Sequence, residues 1–113
     1  MSADQQTAVF LHDKPLAKAM TSDLHQVEGN WYFKEAALID RSRYEESETH
    51  TTCPWKGEAS YFNYKDDDGK IIKDIAWFYP KPKAGTGAEE KVGGRVAFYV
   101  GKVDGLRVGA PSI

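Results

Sequence analysis

The strongest constraint on the fold is a two-residue alternation of apolar and polar side chains in the second half of the chain. Residues 58–64 show this period, which is typical of a half-buried strand because successive side chains point to opposite faces. Residues 66–69, Asp-Asp-Asp-Gly, predict a hairpin turn into a second strand over residues 71–79. Pro80 and Pro82 end that strand, since neither can donate to a sheet ladder. The chain is therefore expected to fold around antiparallel hairpins.

Other short segments between turn residues repeat this pattern. Strands are predicted at residues 7–11, 16–19, 24–28, 31–33, 49–53, 95–100 and 103–108. Residues 12–15 predict a turn, residues 34–39 are the only helix-like segment, and residues 83–94 form a Gly-rich and Glu-rich loop. Short strands at hairpin spacing predict a mainly β fold, either an antiparallel sandwich or an open barrel.

The composition is that of one globular domain. The chain has 113 residues, of which 41% are hydrophobic, so it can bury one core. We expect a single domain over residues 1–113, with a frayed end at residues 1–6. The formal net charge of −2 argues against nucleic acid or an anionic membrane as a partner. No apolar run approaches the roughly 18 residues of a membrane helix, and no leader is evident, which predicts a cytoplasmic protein.

Four short motifs follow one another along the chain. They are Val27-Glu28-Gly29-Asn30-x-Tyr32-Phe33, Cys53-Pro54-Trp55-Lys56-Gly57-x-Ala59-x-Tyr61, Ala76-Trp77-x-Tyr79-Pro80 and Val96-Ala97-Phe98-Tyr99. In this order they resemble the domain of unknown function 427 family, and the resemblance covers residues 7–104. One departure is the first hairpin, where residues 16–20 stand in place of the Ala-x-Ser turn of many members.

The resemblance implies a β-tent, in which two small antiparallel sheets pack at an angle and converge at one end. At most one or two short helical turns are expected with it. Similar architectures include cereblon's thalidomide-binding domain and methionine sulfoxide reductase B, and several such proteins hold zinc with paired Cys-x-x-Cys motifs. This chain has one cysteine, so it can form neither that zinc site nor an intrachain disulfide. The family name itself states no function, and kinship of fold alone does not assign one.

Cys53 and Lys56 are the candidate catalytic residues. A cysteine that acts as nucleophile or redox thiol needs a nearby cation to stabilise its thiolate, and Lys56 lies three residues away. Alternatively, Cys53 is a small buried side chain at a strand end. Lys56 is then either an anion or carbonyl contact or a solvated turn residue. Strand alternation turns His50 away from Cys53, which argues against a Cys–His pair.

The same motifs supply a candidate binding pocket near residues 53–57 and 77–79. Its predicted ligand-binding residues are Trp55, Lys56, Glu58, Tyr61, Trp77 and Tyr79. Aromatic rings can stack on a flat ligand or a cation, although the same rings can instead form the core of a small domain. The leading hypothesis is a domain that binds a small polar or planar metabolite. The alternative is an enzyme that uses Cys53 as nucleophile or redox thiol, assisted by Lys56.

Two further signals resemble phosphate or metal sites. Gly85-Thr86-Gly87 lacks the Gly-Lys-Ser/Thr of a phosphate-binding loop, and Glu89 and Glu90 would repel a phosphate. The family is also labelled nucleotidyltransferase-like, and Asp66-Asp67-Asp68 is the one carboxylate run that could hold magnesium. It precedes Gly69 in a turn, where aspartate is favoured by turn chemistry alone. The sequence thus predicts no metal and no cofactor, an unidentified small-molecule ligand, and a monomer or homodimer.

Overall fold

The computed structural model describes residues 5–110, which form two antiparallel sheets of three and six strands. This confirms the predicted mainly β fold. The strands are β1 (Gln6–Leu11), β2 (Lys14–Met20), β3 (His25–Val27), β4 (Asn30–Lys34), β5 (Tyr44–Cys53), β6 (Gly57–Lys65), β7 (Ile71–Phe78), β8 (Arg95–Phe98) and β9 (Leu106–Gly109). The smaller sheet has the order β2-β1-β9, and the larger one β3-β4-β8-β7-β6-β5. The convergence of the sheets that defines a β-tent stays a prediction.

Helical structure within residues 5–110 is limited to short pieces. These are three 3₁₀ turns (Thr21–Asp23, Glu35–Ala37 and Arg41–Arg43) and one helix, α1 (Ala88–Val92). The second turn coincides with the predicted helix-like segment, whereas α1 lies inside the predicted loop 83–94. α1 forms there because its Ala and Val side chains are buried against a sheet. No helix in this part of the chain is long and apolar enough to cross a membrane.

The register of the central strands gives the larger sheet two apolar faces. Tyr61 pairs with Trp77, and Trp77 pairs with Ala97. Since paired residues share a face and neighbours alternate, Phe62 and Phe98 lie on the opposite face. That Phe62 face packs on the three-stranded sheet and forms the main core. The Tyr61 face carries a smaller cluster, which α1 covers in part.

Several boundaries differ from those predicted. β5 begins at Tyr44 rather than at residue 49, because its first half is largely polar on both faces and shows no alternation. β2 begins at Lys14, inside the predicted turn 12–15. β8 ends at Phe98 rather than at residue 100, since the chain turns there and Lys102 N donates to Tyr99 O at 3.2 Å. Of the predicted frayed end, residues 1–4 lie outside the described residues.

The three-residue turn between β5 and β6 is held by the loop that follows β7. Lys83 N donates to Lys56 O at 2.9 Å, and Thr86 Oγ1 donates to Trp55 O at 2.8 Å. Gly57 makes this approach possible: its φ is +109°, and a Cβ there would lie 3.1 Å from Lys81 O and 3.3 Å from Lys83 N. The turn, and with it the position of Lys56, therefore depends on glycine at position 57.

Replacing Gly57 with alanine should lower the free energy of unfolding by about 2 kcal/mol, because the methyl group meets backbone atoms and the φ angle disfavours any side chain. Urea unfolding of the two proteins measures the difference. Gly85→Ala is the matched control, since Gly85 also has a positive φ but nothing lies within 4 Å of a Cβ there. Equal losses in the two variants would contradict the role given to the close approach.

Candidate functional site

A cleft of about 390 Å³ opens on the Tyr61 face of the larger sheet. Its wall combines aromatic rings with a few polar groups. The lining residues are Asn30, Thr51, Lys56, Tyr61, Trp77, Tyr79, Phe98, Tyr99, Val100 and Lys102. Four of the six predicted binding residues thus lie together, namely Lys56, Tyr61, Trp77 and Tyr79. They converge because the register of β6 and β7 places their aromatic residues side by side.

The aromatic wall is held by contacts among its own members. Trp77 Nε1 donates to Tyr32 Oη at 3.0 Å, which fixes the position of the indole ring. Its ring lies 4.6 Å from that of Tyr99, centroid to centroid. Tyr99 is in turn parallel to Tyr61, with centroids 6.0 Å apart. The hydroxyl of Tyr61 is 2.8 Å from Thr51 Oγ1, which leaves a short row of polar groups along a ring-lined surface.

Lys56 is the buried charge of the site. Lys56 is only 5% exposed. Its ammonium group lies between aromatic rings, 5.2 Å from the ring centroid of Trp55 and 5.7 Å from that of Tyr79. Nζ donates to Glu28 Oε1 in an ion pair. Trp55 Nε1 donates to the other oxygen, Oε2, at 3.4 Å. One carboxylate therefore receives two donors from the Cys53–Gly57 motif.

The ion pair shifts the pKa values of both Lys56 and Glu28. Burial alone would lower the pKa of Lys56, but the hydrogen bond to Glu28 and nearby ionisable groups outweigh it, so that pKa lies above its ordinary value of 10.5. The hydrogen bond from Lys56 is the main cause that lowers the pKa of Glu28 below its ordinary value of 4.5. At neutral pH Lys56 is therefore a charged ammonium group, suited to contact an anion and unsuited to act as a nucleophile.

Glu28 reaches Lys56 from a tight hairpin. β3 and β4 are joined by Glu28 and Gly29 alone, with φ of +54° and +82°, as in a type I′ turn. Such turns favour Asn, Asp or Gly, and a Glu in this region costs on the order of 1 kcal/mol. A backbone conformation of this kind is a hint of function when the side chain makes specific contacts. Asn30, next in the chain, lines the cleft.

A second cavity, of about 340 Å³, continues the cleft and shares Thr51, Tyr61, Tyr99 and Lys102 with it. Asp74 lines its far side, at an irregular point of β7 where φ is +54°. Its Oδ2 accepts from Thr49 Oγ1 at 2.8 Å, while its Oδ1 is buried without a donor among the described residues. The cavity wall thus carries a strained residue with an unused acceptor.

Cys53 lies beside this site rather than in it. The thiol is half-buried, packs with Trp55 and Tyr99 against the smaller cluster, and is not among the residues that line the cleft. His50 is on the opposite face, as predicted, with Nδ1 3.2 Å from Ser60 Oγ. The catalytic roles of Cys53 and Lys56 stay predictions.

The other two predicted binding residues lie outside the cleft wall. The Trp55 ring centroid lies 5.2 Å from Lys56 Nζ and 5.7 Å from Lys91 Nζ, so this ring contacts both ammonium groups. Glu58 pairs with Thr52 and is exposed on the face opposite Tyr61. Proximity to Lys56 in sequence does not bring Glu58 close to the pocket, because strand alternation separates positions 58 and 61.

The sequence prediction missed several residues of the site. Glu28 and Asn30 belong to a family motif that was identified, but nothing in one sequence shows that this motif meets the Cys53–Gly57 turn. Tyr99 was recognised as one of the aromatic residues without being assigned to the pocket. Lys102 lies in the turn after β8 and carries no sequence signal.

The aspartate run in the β6–β7 turn is engaged in hydrogen bonds of the turn and in surface ion pairs. Asp66 Oδ1 accepts from the backbone N–H groups of Asp68 and Lys70 at 2.9 and 2.8 Å, and Asp67 forms ion pairs with Lys14 and Arg43. Nowhere in residues 5–110 do three or more His, Cys, Asp or Glu side chains group in a way that could hold a metal ion. The run is explained by turn and ion-pair chemistry.

Comparison with known proteins identifies the family. The sequence profile described as "Domain of unknown function (DUF427)" matches residues 3–109 of the chain. The chain therefore belongs to this family, as its motifs suggest. No curated protein matches it. Since the family description states no activity, function has to be argued from the cleft itself.

The Glu28–Lys56 pair should make stability depend on pH at both ends of the range. The depressed pKa of Glu28 means that its contribution is present above pH 4.5 and is lost as the pH falls through its folded-state value. The raised pKa of Lys56 means that its contribution is present below pH 10.5 and is lost as the pH rises through its own folded-state value. Because Glu28 is half exposed, water screens the pair, and the full effect should be about 1 kcal/mol at most.

Urea unfolding of the wild type and of Glu28→Gln at a series of pH values measures this contribution. The difference between them should be constant from about pH 5 to about pH 10 and shrink outside that window. Glu48→Gln, a change of an exposed glutamate in β5, is the control and should show no such window. A difference that is independent of pH would mean that the pair does not contribute through its charges.

Proposed function

We propose that this member of the domain of unknown function 427 family binds a small planar ligand with an anionic or carbonyl group in the cleft of the Tyr61 face. The single observation that carries the proposal is a charged lysine buried at the wall of an aromatic cleft. Lys56 contacts the polar group of the ligand, while Trp77, Tyr99 and Tyr61 contact its flat part. The protein acts as a binding module for a small molecule.

The size and chemistry of the cleft support a small ligand. A volume of about 390 Å³ lies at the lower end of the range of ligand pockets. Its apolar surface is mostly aromatic, which favours a flat ring over a branched aliphatic chain. The hydroxyls of Thr51, Tyr61 and Tyr99 offer donors and acceptors along one wall, and these would fix the orientation of a polar planar molecule.

Burial of the lysine supports a polar group on that ligand. An ammonium ion in a low-dielectric site interacts with an anion or a carbonyl oxygen far more strongly than a surface lysine does. Lys56 can donate three hydrogen bonds, and Glu28 is its one acceptor among the described residues. Two donors are therefore available at the cleft wall.

The alternative, that Cys53 acts as a nucleophile or redox thiol with Lys56 as its activating cation, stays a prediction. The thiol is beside the cleft, and the lysine is engaged with Glu28. Binding without catalysis does not require a reactive thiol, which is why it is proposed first. A cytoplasmic location and a monomeric or homodimeric state also stay predictions.

Binding is tested by isothermal titration with planar probes, namely adenosine, nicotinamide and indole-3-carboxylate. At least one should bind the wild type, and Tyr99→Leu should weaken that binding about tenfold, because the leucine keeps apolar volume but removes the stacking ring. Phe10→Leu is the matched control: Phe10 is a buried aromatic residue of β1 that does not line the cleft. Equal affinities in both variants, or no binding of any probe, would overturn the proposal.

A further inference from the structure

We propose that Glu28 occupies a carboxylate-binding position on Lys56, beside the cleft, and that the ligand is a planar carboxylate which displaces the Glu28 side chain from Lys56. The inference rests on the proposed function and specifies the class of ligand. It assigns to Glu28 the role of an internal competitor, which holds the site closed to weak anions until a better-fitting carboxylate arrives.

The positive charge of Lys56 is already paired with a carboxylate. A lysine that is already paired with a glutamate presents little net positive charge to an incoming anion, and adding a second carboxylate beside Glu28 would be repulsive. Lys56 can therefore contact an anionic ligand effectively only if Glu28 moves away. An anion-binding cleft and a permanent Glu28–Lys56 pair are not compatible.

The Glu28 carboxylate shows how a carboxylate is bound at this position. Its two oxygens receive two different donors, Nζ of Lys56 on Oε1 and Nε1 of Trp55 on Oε2. This is a two-point arrangement for a carboxylate, in which an indole N–H and an ammonium group each take one oxygen. A ligand carboxylate that replaced Glu28 would receive the same two donors, and its ring would extend toward the aromatic wall.

The Glu28 side chain is far more exposed to water than that of Lys56, so it can leave while Lys56 remains in place. The side chain of Glu28 is 53% exposed, whereas that of Lys56 is 7% exposed. Lys56 is fixed by the hydrogen bond from Lys83 N to its carbonyl and by the rings of Trp55 and Tyr79. A half-exposed carboxylate loses little when it returns to water, because water solvates it well.

The backbone of Glu28 has a conformation that a glutamate does not favour. At φ of +54° a glutamate is less favourable than asparagine or glycine, so the turn gains nothing from this side chain. Its presence there is accounted for by what the carboxylate contacts. A substitution by glycine or glutamine should therefore leave the hairpin folded, which makes the role of the side chain testable in the intact protein.

The test compares indole-3-carboxylate with indole-3-carboxamide by isothermal titration at pH 7, using the whole 113-residue chain. Glu28→Gln removes the competing charge, and Glu28→Gly removes the side chain at a position where glycine is well tolerated. Both should bind the carboxylate about tenfold more tightly than the wild type, with carboxamide binding changed less than about twofold. Glu58→Gln, on the opposite face, is the matched control and should bind both probes as the wild type does.

Lys56→Met should weaken binding of the carboxylate to the otherwise wild-type protein. In combination with Glu28→Gln it should also remove the increase in affinity that Glu28→Gln produces, because both effects depend on the same ammonium group. If Glu28 instead positions Lys56 for the ligand, Glu28→Gln and Glu28→Gly will bind the carboxylate more weakly than the wild type. That result overturns the displacement of Glu28 by the ligand. If the carboxamide binds but neither Glu28 variant binds the carboxylate more tightly than the wild type, the displacement of Glu28 is overturned and the proposed function stands. No binding of either indole probe to any of the proteins overturns the displacement of Glu28, and the proposed function is overturned as well only if adenosine and nicotinamide also fail to bind.

Discussion

Burial of the Lys56 ammonium group is the constraint on which the rest of the site depends. An ammonium ion removed from water is costly unless it is paired, so the fold has to bring a carboxylate to it. Glu28 does this from the tip of the β3–β4 hairpin, and the aromatic rings of Trp55 and Tyr79 complete the surroundings. Three separate segments of the chain therefore meet at one charge. Gly57 allows the loop after β7 to close over the turn that carries it.

The two faces of the larger sheet differ in how far they are covered by the rest of the fold. The Phe62 face packs on the three-stranded sheet and forms the main core, whereas the Tyr61 face is covered only in part by α1. The exposed remainder keeps large rings such as Tyr99 at a surface, where they can contact a ligand. Asp74, with its positive φ and an oxygen that lacks a donor, lies on the continuation of this same surface. Two residues with a positive φ, Glu28 and Asp74, thus lie beside the cleft and its continuation.

Much of this fold is legible in the sequence, because alternation of residue type reports directly on a half-buried strand. The hairpin of β6 and β7 was predicted for that reason, and strand alternation also placed His50 away from Cys53. The first half of β5 was missed because an edge strand that is polar on both faces has no alternation. The site was predicted in part, since Trp77 and Tyr79 lie in one motif. Glu28 was missed because its contact with Lys56 joins residues 28 positions apart, and no local pattern encodes such a pair.

The central claim is that Lys56 is buried, charged and held in that state by Glu28. Titration of the Lys56 side chain by carbon-13 NMR, with assignment from Lys56→Met, tests it most directly. The account predicts a pKa above 10.5 in the wild type and a lower pKa in Glu28→Gln, where burial is no longer outweighed by the ion pair. A pKa of Lys56 at or below 10.5 in the wild type, unchanged by the substitution of Glu28, would contradict it.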